Sequence, residues 1–197
     1  MHISEGVLNP PVLLLGGIFT ALGTAVGLKY LTPEAIPRAA LLTAAAFVAS
    51  LVHIPLGPSS VHLVLNGLLG LILRWGAFPS FLVCLFLQAI LFQFGGLTTL
   101  GVNTFNMAFP AVVMAYLARP LLNKGTRGAL VAGFLVGSLA VFGAGLLVAL
   151  ELSFTGENFR TAARLILAAH LPVAALEGVI CAFICSYLKR IRPEILR

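Results

Sequence analysis

The first two residues of the chain carry groups that can chelate a metal ion. The Met1 amine and the backbone nitrogen of His2 close a five-membered ring on a metal, and that nitrogen and the imidazole Nδ1 close a six-membered ring. The amide must lose its proton, which Ni(II), Cu(II) and sometimes Co(II) promote. Three nitrogens then lie nearly in one plane, a geometry that suits Ni(II) or Cu(II) and fits Zn(II) or Mg(II) poorly.

A square-planar complex needs a fourth nitrogen, and the chain has four histidines in all. His53 and His62 flank one short gap between hydrophobic runs, so either imidazole could complete the square. A histidine near a membrane interface that makes only a structural hydrogen bond would give the same pattern. The residues alone therefore leave open both the metal site and its fourth ligand.

The composition is that of a membrane protein. Of the 197 residues, 60% are hydrophobic and only 9% are charged, whereas a soluble domain has about 25% charged residues. One core of this size cannot hide so many apolar side chains, so most of them must face lipid. The net charge of +6 is carried in or beside short gaps between apolar runs, which indicates membrane topology and argues against a nucleic-acid partner.

Seven hydrophobic runs are long enough, or nearly long enough, to cross a bilayer as helices. They predict an all-α integral membrane protein of about seven transmembrane helices, with residues 1–197 forming a single domain. The runs cover residues 11–28, 37–53, 62–78, 81–94, 104–118, 128–150 and 164–188. The fourth and fifth runs are short, so one of them is a candidate for a partly re-entrant segment.

The distribution of basic residues predicts an orientation. When the gaps are numbered alternately, ten of the twelve Lys and Arg residues fall on one side and only Arg160 and Arg164 on the other. Because cytoplasmic loops carry an excess of Lys and Arg, the C-terminus is expected in the cytoplasm and the N-terminus outside. The outer side then collects residues 1–9 and the loops 53–61, 95–103 and 151–161, and with them three of the four histidines.

Four segments of the chain resemble one family of transport proteins. They are MHISEGVLNP (1–10), PSSVHLVLNGLLG (58–70), QAILFQFGGLTTLGVNTFNM (88–107) and HLPVAALEG (170–178). Together they span nearly the whole chain in the expected order. They are similar to the CbiM/NikM proteins, the substrate-specific components of cobalt and nickel energy-coupling-factor transporters.

The resemblance implies a bundle of six helices plus an extra N-terminal helix, with residues 1–9 threaded into the bundle. Carried over residue by residue, it implies Met1, His2 and His62 as ligands of a transported Ni²⁺ or Co²⁺, which is a substrate and not a cofactor. The chain departs from the family at Ser4, where Pro is frequent, and at residues 57–61, which replace Gly-Gly-Thr-Ser-Gly. His53 is therefore kept as an alternative ligand.

The resemblance also implies partners. The transport would be driven by ATP-binding cassette ATPases through a transmembrane coupling subunit, with or without a small accessory membrane subunit. The chain itself has no phosphate-binding loop, His-Glu-x-x-His pair or Gly-x-Ser-x-Gly elbow, so it is expected to be no enzyme and to have no catalytic residues. Two other readings remain: a component of similar fold that binds an organic vitamin, and an intramembrane enzyme that uses His170 and Glu177.

Several polar residues within the hydrophobic runs are further candidates. Asn66, Asn103 and Asn106 could hydrogen-bond to a ligating imidazole or join neighbouring helices. Glu177 is predicted to be the only acidic residue deep inside a span, and it follows His170 by two helical turns. His170, Glu177 and Gln88 are candidates for an intramembrane polar network. Ser59 and Ser60 are expected to cap the third helix and to place His62 in its first turn.

Overall fold

The structure, a computed structural model, describes residues 2–56 and 59–196, and for residues 53–56 and 59–61 it describes the backbone only. Seven α-helices occur in this part of the chain: α1 (Pro10–Leu28), α2 (Ile36–Ala49), α3 (Asn66–Leu73), α4 (Ala77–Phe92), α5 (Leu100–Leu122), α6 (Gly125–Thr155) and α7 (Arg160–Ile191). A two-stranded antiparallel sheet, β1 (His53–Leu56) and β2 (Ser59–His62), lies between α2 and α3.

Most of these helices are long and apolar enough to cross a membrane. By length and composition five continuous stretches meet that condition, the second of which contains both α3 and α4: Pro10–Leu28, Asn66–Phe92, Leu100–Leu122, Gly125–Thr155 and Glu157–Ile191. Helix α2 is apolar but shorter. Large apolar side chains such as Leu14, Leu117 and Phe183 are more than 60% exposed, as expected of side chains that face lipid. The helical membrane class expected from the composition is confirmed.

Asn9 lies at the junction between the N-terminal segment and α1. Asn9 caps α1, because its side-chain oxygen accepts a hydrogen bond from Val12 N at 3.2 Å, and Pro10 and Pro11 occupy the first turn, where a missing N–H costs nothing. Helix α1 packs on α5, and Thr20 Oγ1 donates to the Gly101 carbonyl oxygen at 2.6 Å. The helix that follows the N-terminal segment therefore anchors it to the bundle.

The prediction that residues 62–78 form a single membrane-spanning helix is wrong. His62 ends strand β2, and α3 begins only at Asn66, after Leu65 in the left-handed region and without a side-chain cap. Ser59 and Ser60 lie in β2, so the predicted serine cap is wrong too. An apolar run suits a buried strand as well as a helix, and the residue before Pro55 is forced into an extended conformation.

Helix α3 is a half-length helix inside the bundle. A Cβ on Gly67 would lie 2.7 Å from the Gly137 Cα of α6, and one on Gly70 would meet the Ala111 backbone of α5. The chain then turns at Arg74 and returns as α4. The third predicted span is therefore extended in its first part and helical in its second. Helix α3, of 8 residues, is shorter than the fourth and fifth helices, whose runs seemed short in the sequence.

Other helix boundaries in the structure also differ from the predicted ones. Helix α2 ends at Ala49, with the Ser50 hydroxyl donating to the Phe47 carbonyl oxygen at 2.7 Å, so His53 does not end a helix. Helix α5 is 23 residues long and continues through Pro110. Helix α6 runs to Thr155, so the expected loop 151–161 is mostly helical. Glu151 therefore lies within α6, and Glu177 is not the only acidic residue within a helix of the bundle.

The two ends of the bundle differ in character. At one end, Arg38, Arg74 and Arg119 line two adjoining cavities that also include Glu194 and Leu196; we call this the basic end. The opposite, or N-terminal, end holds the segment 2–9, the β-sheet and the first turn of α5. Ile3 packs there against Val102 and Leu152 in an apolar cluster. The two termini of the described chain thus lie at opposite ends.

Candidate metal centre

The His2 and His62 imidazoles lie next to each other near the N-terminal end. Their ring centroids are 4.6 Å apart and their planes are 19° from parallel. Both side chains are buried, with exposed fractions of 2% and 3%. The Nδ1 of His62 lies 2.8 Å from the Leu63 carbonyl oxygen. Because a carbonyl oxygen can only accept, Nδ1 carries the proton and the lone pair of the neutral ring is on Nε2.

Asn103 of α5 holds the residue that follows His2. The Ile3 N–H donates to Asn103 Oδ1 at 2.8 Å, and Asn103 Nδ2 donates to the Ile3 carbonyl oxygen at 3.1 Å. The same amide nitrogen also donates to Thr99 Oγ1 at 3.1 Å. Both polar groups of the Ile3 backbone are thereby satisfied in a buried position, and the path of the chain at His2 is fixed.

The loop between α4 and α5 encloses the N-terminal segment. Gly95 has φ +75°, and a Cβ there would lie 2.9 Å from Asn103 Nδ2 and 3.3 Å from His2 Cβ. The backbone N–H of Thr98 donates to Glu5 Oε1 at 3.0 Å, and a Cβ on Gly96 would clash with the Glu5 side chain. Sequence reasoning did not single out these residues. The consecutive glycines in a loop at the histidine-rich end were the available signal.

Glu177 of α7 holds the residues that follow His62. Its Oε1 accepts hydrogen bonds from the backbone N–H groups of Val64 at 2.5 Å and Leu65 at 2.8 Å. Leu65 has φ +55°, a conformation that costs a non-glycine residue about 1–3 kcal/mol and persists only where the surroundings enforce it. The buried carboxyl group therefore fixes the turn between the strand that carries His62 and helix α3.

Asn66 and Asn106 contact backbone and side chains away from the two rings. Asn66 Oδ1 accepts from the Gly67 N–H at 2.9 Å, and its Nδ2 donates to the Met107 carbonyl oxygen at 3.4 Å. Asn106 Nδ2 donates to Glu151 Oε2 at 2.7 Å. These bonds join α3 to α5 and α5 to α6. Of the three asparagines, Asn103 alone bonds to the N-terminal segment in the described part of the chain.

His170, Glu177 and Gln88 lie in separate environments. His170 Nδ1 donates to the Ile166 carbonyl oxygen at 2.6 Å, and its ring packs against Gly145. Gln88 Nε2 donates to Ser50 Oγ at 2.8 Å. Within residues 2–56 and 59–196, no hydrogen bond links these three side chains to one another. The described contacts are therefore local and do not form one continuous network.

The remaining predicted ligands are only partly covered by the structure. Met1 lies outside the described residues. The backbone of His53 pairs with that of His62 across the β-sheet, so the two histidines are opposite each other in the strand register, while the His53 side chain lies outside the described part. Both assignments stay predictions.

The fold and the site define a multi-pass helical membrane protein with a buried pair of imidazoles near one end of the bundle. The chain matches, over residues 2–195, the family described as "Cobalt uptake substrate-specific transmembrane region", or CbiM. It belongs to that family, which confirms the resemblance seen in the four sequence segments. The family is one of cobalt and nickel transport, so the chain belongs among transport proteins.

Individual relatives agree with this assignment. The chain is 43% identical to a putative metal transport protein of Haemophilus influenzae, over all of this chain and 97% of the relative. It is 32% identical to a putative cobalt transport protein CbiM of Methanocaldococcus jannaschii, over all of this chain and 90% of the relative. It is 30% identical to the fused nickel transport protein NikMN of Rhodobacter capsulatus, over all of this chain and 64% of that longer protein.

Two solved structures have the same fold. A crystal structure of a transition metal transporter superposes with a TM-score of 0.85 and 28% identity, over 97% of this chain and 93% of the other. A crystal structure of a truncated transition metal transporter superposes with a TM-score of 0.79 and 26% identity, over the whole of both chains.

Proposed function

We propose that this chain is the substrate-capturing membrane component of an ATP-driven uptake transporter for Ni²⁺ or Co²⁺. The metal ion, as the substrate, would be bound by the Met1 amine, the backbone nitrogen and imidazole of His2, and the imidazole of His62. The observation that carries this proposal is the buried pair formed by the His2 and His62 rings.

The separation of the two rings supports binding of one ion between them. A metal–nitrogen bond is about 2 Å long, and an imidazole centroid lies slightly more than 1 Å beyond the nitrogen. Two rings held at a right angle on one ion would therefore have centroids about 4–5 Å apart. The centroids of His2 and His62 are 4.6 Å apart, but the rings are stacked with their planes 19° from parallel, so one ring has to rotate before both nitrogen lone pairs point at one ion.

The hydrogen bonds around the pair also favour ligation. With the proton of His62 on Nδ1, the lone pair of Nε2 is the one that a metal would use. Asn103 bonds to both polar groups of the Ile3 backbone and so holds the segment that carries His2. Such partners orient a ligand and fix its tautomer.

The topology supplies a direction for uptake. If the chain crosses the membrane seven times, with β2 and α3 as the third crossing, the N-terminus and the C-terminus are on opposite sides. If the basic end faces the cytoplasm, as the excess of Lys and Arg favours, the metal site lies in the outer half of the bundle. Energy would then come from separate ATPases, coupled through a transmembrane subunit that contacts this chain.

Equilibrium dialysis of the purified chain with an unextended N-terminus tests the proposal. Separate cells should contain Ni²⁺, Co²⁺, Zn²⁺, Mg²⁺ and a set of organic vitamins. We expect retention of about one Ni²⁺ or Co²⁺ per chain, weaker retention of Zn²⁺ and none of Mg²⁺, since planar nitrogen ligation suits the first two. Retention of a vitamin without any retention of Ni²⁺ or Co²⁺ would overturn the proposal in favour of an organic substrate.

A further inference from the structure

A row of three phenylalanine rings leads from the His2 imidazole to helix α2. The Phe94 ring centroid lies 6.3 Å from that of His2, and the Phe92 centroid lies 5.6 Å from that of Phe94. Phe47 of α2 completes the row, with its centroid 5.4 Å from that of Phe92. All three distances lie in the range of aromatic contact, about 4.5–7 Å. We call these three side chains the phenylalanine row.

Hydrogen bonds run beside the phenylalanine row and join its two ends. The Phe94 N–H donates to the Gln88 carbonyl oxygen at 3.3 Å, and the Gln88 side chain donates to Ser50 Oγ at 2.8 Å. The Ser50 hydroxyl donates in turn to the Phe47 carbonyl oxygen. Gln93, which precedes Phe94, has φ +57°, a conformation that the surroundings of a residue other than glycine must enforce. The backbone thus holds both ends of the row in a fixed relation.

A metal ion at the proposed site would change the orientation of the His2 ring. The stacked rings of His2 and His62 must come out of their nearly parallel arrangement before both lone pairs point at one ion. Nδ1 of His62 is bonded to the Leu63 carbonyl oxygen, and a turn of that ring would break the bond. A chelate through Nδ1 of His2 also sets the plane of this ring relative to its own backbone. Of the two rings, that of His2 is therefore the one that metal binding would turn.

A turn of the His2 ring acts on the phenylalanine row. Phe94 is half-buried and contacts His2 on one side and Phe92 on the other, so it is displaced towards Phe92. At the far end, Phe47 lines an apolar groove of about 520 Å³ between α2 and α4, together with Ala44. We propose that Phe94 and Phe92 are positioning residues that couple metal binding at His2 to the packing of α2 on α4. This inference rests on the proposed function, because it needs a metal ion at His2.

Hydrogen–deuterium exchange of residues 46–52, at the C-terminal end of α2, tests the coupling when it is measured with and without Ni²⁺ on the chain with an unextended N-terminus. A fixed His2 ring restrains the row, so we expect Ni²⁺ to slow exchange about 5-fold, the lower end of coupling between sites. Phe92→Ala should abolish this slowing. Phe86→Ala changes another exposed phenylalanine of α4, outside the row, and should keep it. Isothermal titration with Ni²⁺ on the same samples shows that each variant is folded.

A groove variant tests the reciprocal effect without changing the row. Coupling between two sites has the same size in both directions, so Ala44→Trp, which crowds Phe47 from within the groove, should lower Ni²⁺ affinity about 5-fold. Ala45→Trp, on the next residue and outside the groove lining, should leave the affinity unchanged. In a chain that also carries Phe92→Ala, Ala44→Trp should have no effect on Ni²⁺ affinity.

The outcomes separate this inference from the proposed function. Tight Ni²⁺ binding without slower exchange in α2, or with the same slowing in Phe92→Ala, would overturn the coupling and leave the proposed function standing. Equal Ni²⁺ affinities of Ala44→Trp and Ala45→Trp would also overturn it. A native chain that retains neither Ni²⁺ nor Co²⁺ would overturn both. Slower exchange in the native chain and in Phe86→Ala, with none in Phe92→Ala, would support the coupling.

Discussion

The rings of His2 and His62 lie 4.6 Å apart, yet neither histidine belongs to a helix. His2 is in the segment before α1, and His62 is the last residue of a strand. Side chains of two long helices hold the neighbouring backbone, since Asn103 of α5 bonds to Ile3 and Glu177 of α7 bonds to Val64 and Leu65. The long helices thus act as supports, and the extended segments carry the proposed ligands.

Substitution of the two histidines of the β-sheet tests which imidazole is the fourth ligand. We expect His62→Ala to lower Ni²⁺ affinity more than 100-fold, because it removes the proposed ligand whose ring lies against His2. His53→Ala should lower it by about 10- to 100-fold, as changes outside the ligand set tend to do. Isothermal titration with Ni²⁺ measures both. A reversed order would move the assignment to His53, and two unchanged affinities would contradict the metal site.

Glu177 should control the metal site without touching the ion. Glu177→Ala removes the acceptor of the Val64 and Leu65 N–H groups and should weaken Ni²⁺ binding about 10- to 100-fold. Glu177→Gln keeps a carbonyl oxygen that can accept both bonds, so it should restore most of the affinity. The same titration compares the two variants. Equal losses in both would mean that the negative charge, and not the hydrogen bonding, is what matters.

The loop beside His2 offers a steric test with a matched control. Gly95 and Gly6 both have φ +75°, but a Cβ on Gly95 would press on His2 and Asn103, whereas one on Gly6 would meet nothing within 4 Å. Alanine at either place pays a similar backbone cost of about 1–2 kcal/mol. We therefore expect Gly95→Ala to weaken Ni²⁺ binding clearly more than Gly6→Ala. Equal effects would show that crowding at His2 is unimportant.

The general class of the protein could be predicted from the sequence, because composition and basic residues report on the membrane directly. The pairing of His2 with His62 was expected from the family resemblance alone. The route by which His62 reaches His2 was not predicted. The run 62–78 is mostly apolar, and an apolar run cannot distinguish a membrane helix from a buried strand followed by a half-helix.

The supporting contacts were missed for a different reason. Glu177 was singled out as a costly carboxyl group, but only the structure shows that it accepts from the backbone beside Leu65. Glu151 was assigned to the loop 151–161, whereas it lies in α6 and bonds to Asn106 of α5. A sequence shows that a buried polar group needs a partner, but not which backbone segment supplies it.

Metal binding should depend on pH. A neutral imidazole, a free amine and a displaced amide proton are all required, so binding releases protons. As the pH falls through about 6.5, the ordinary histidine pKa, protons compete with the metal and affinity drops. Dialysis against Ni²⁺ between pH 5 and 8 measures this. A flat profile would point to oxygen ligands in place of the amine and the imidazoles.

The Ni²⁺ affinity of a chain extended by one residue before Met1 tests the central claim most directly. The extension moves the free amine away from the His2 amide and imidazole, so the joined chelate rings can no longer form, while both histidines stay in place. An equal extension after Arg197 is the control. The account predicts that tight Ni²⁺ and Co²⁺ binding is lost with the N-terminal residue and kept with the C-terminal one. An unchanged affinity in the N-terminally extended chain would contradict it.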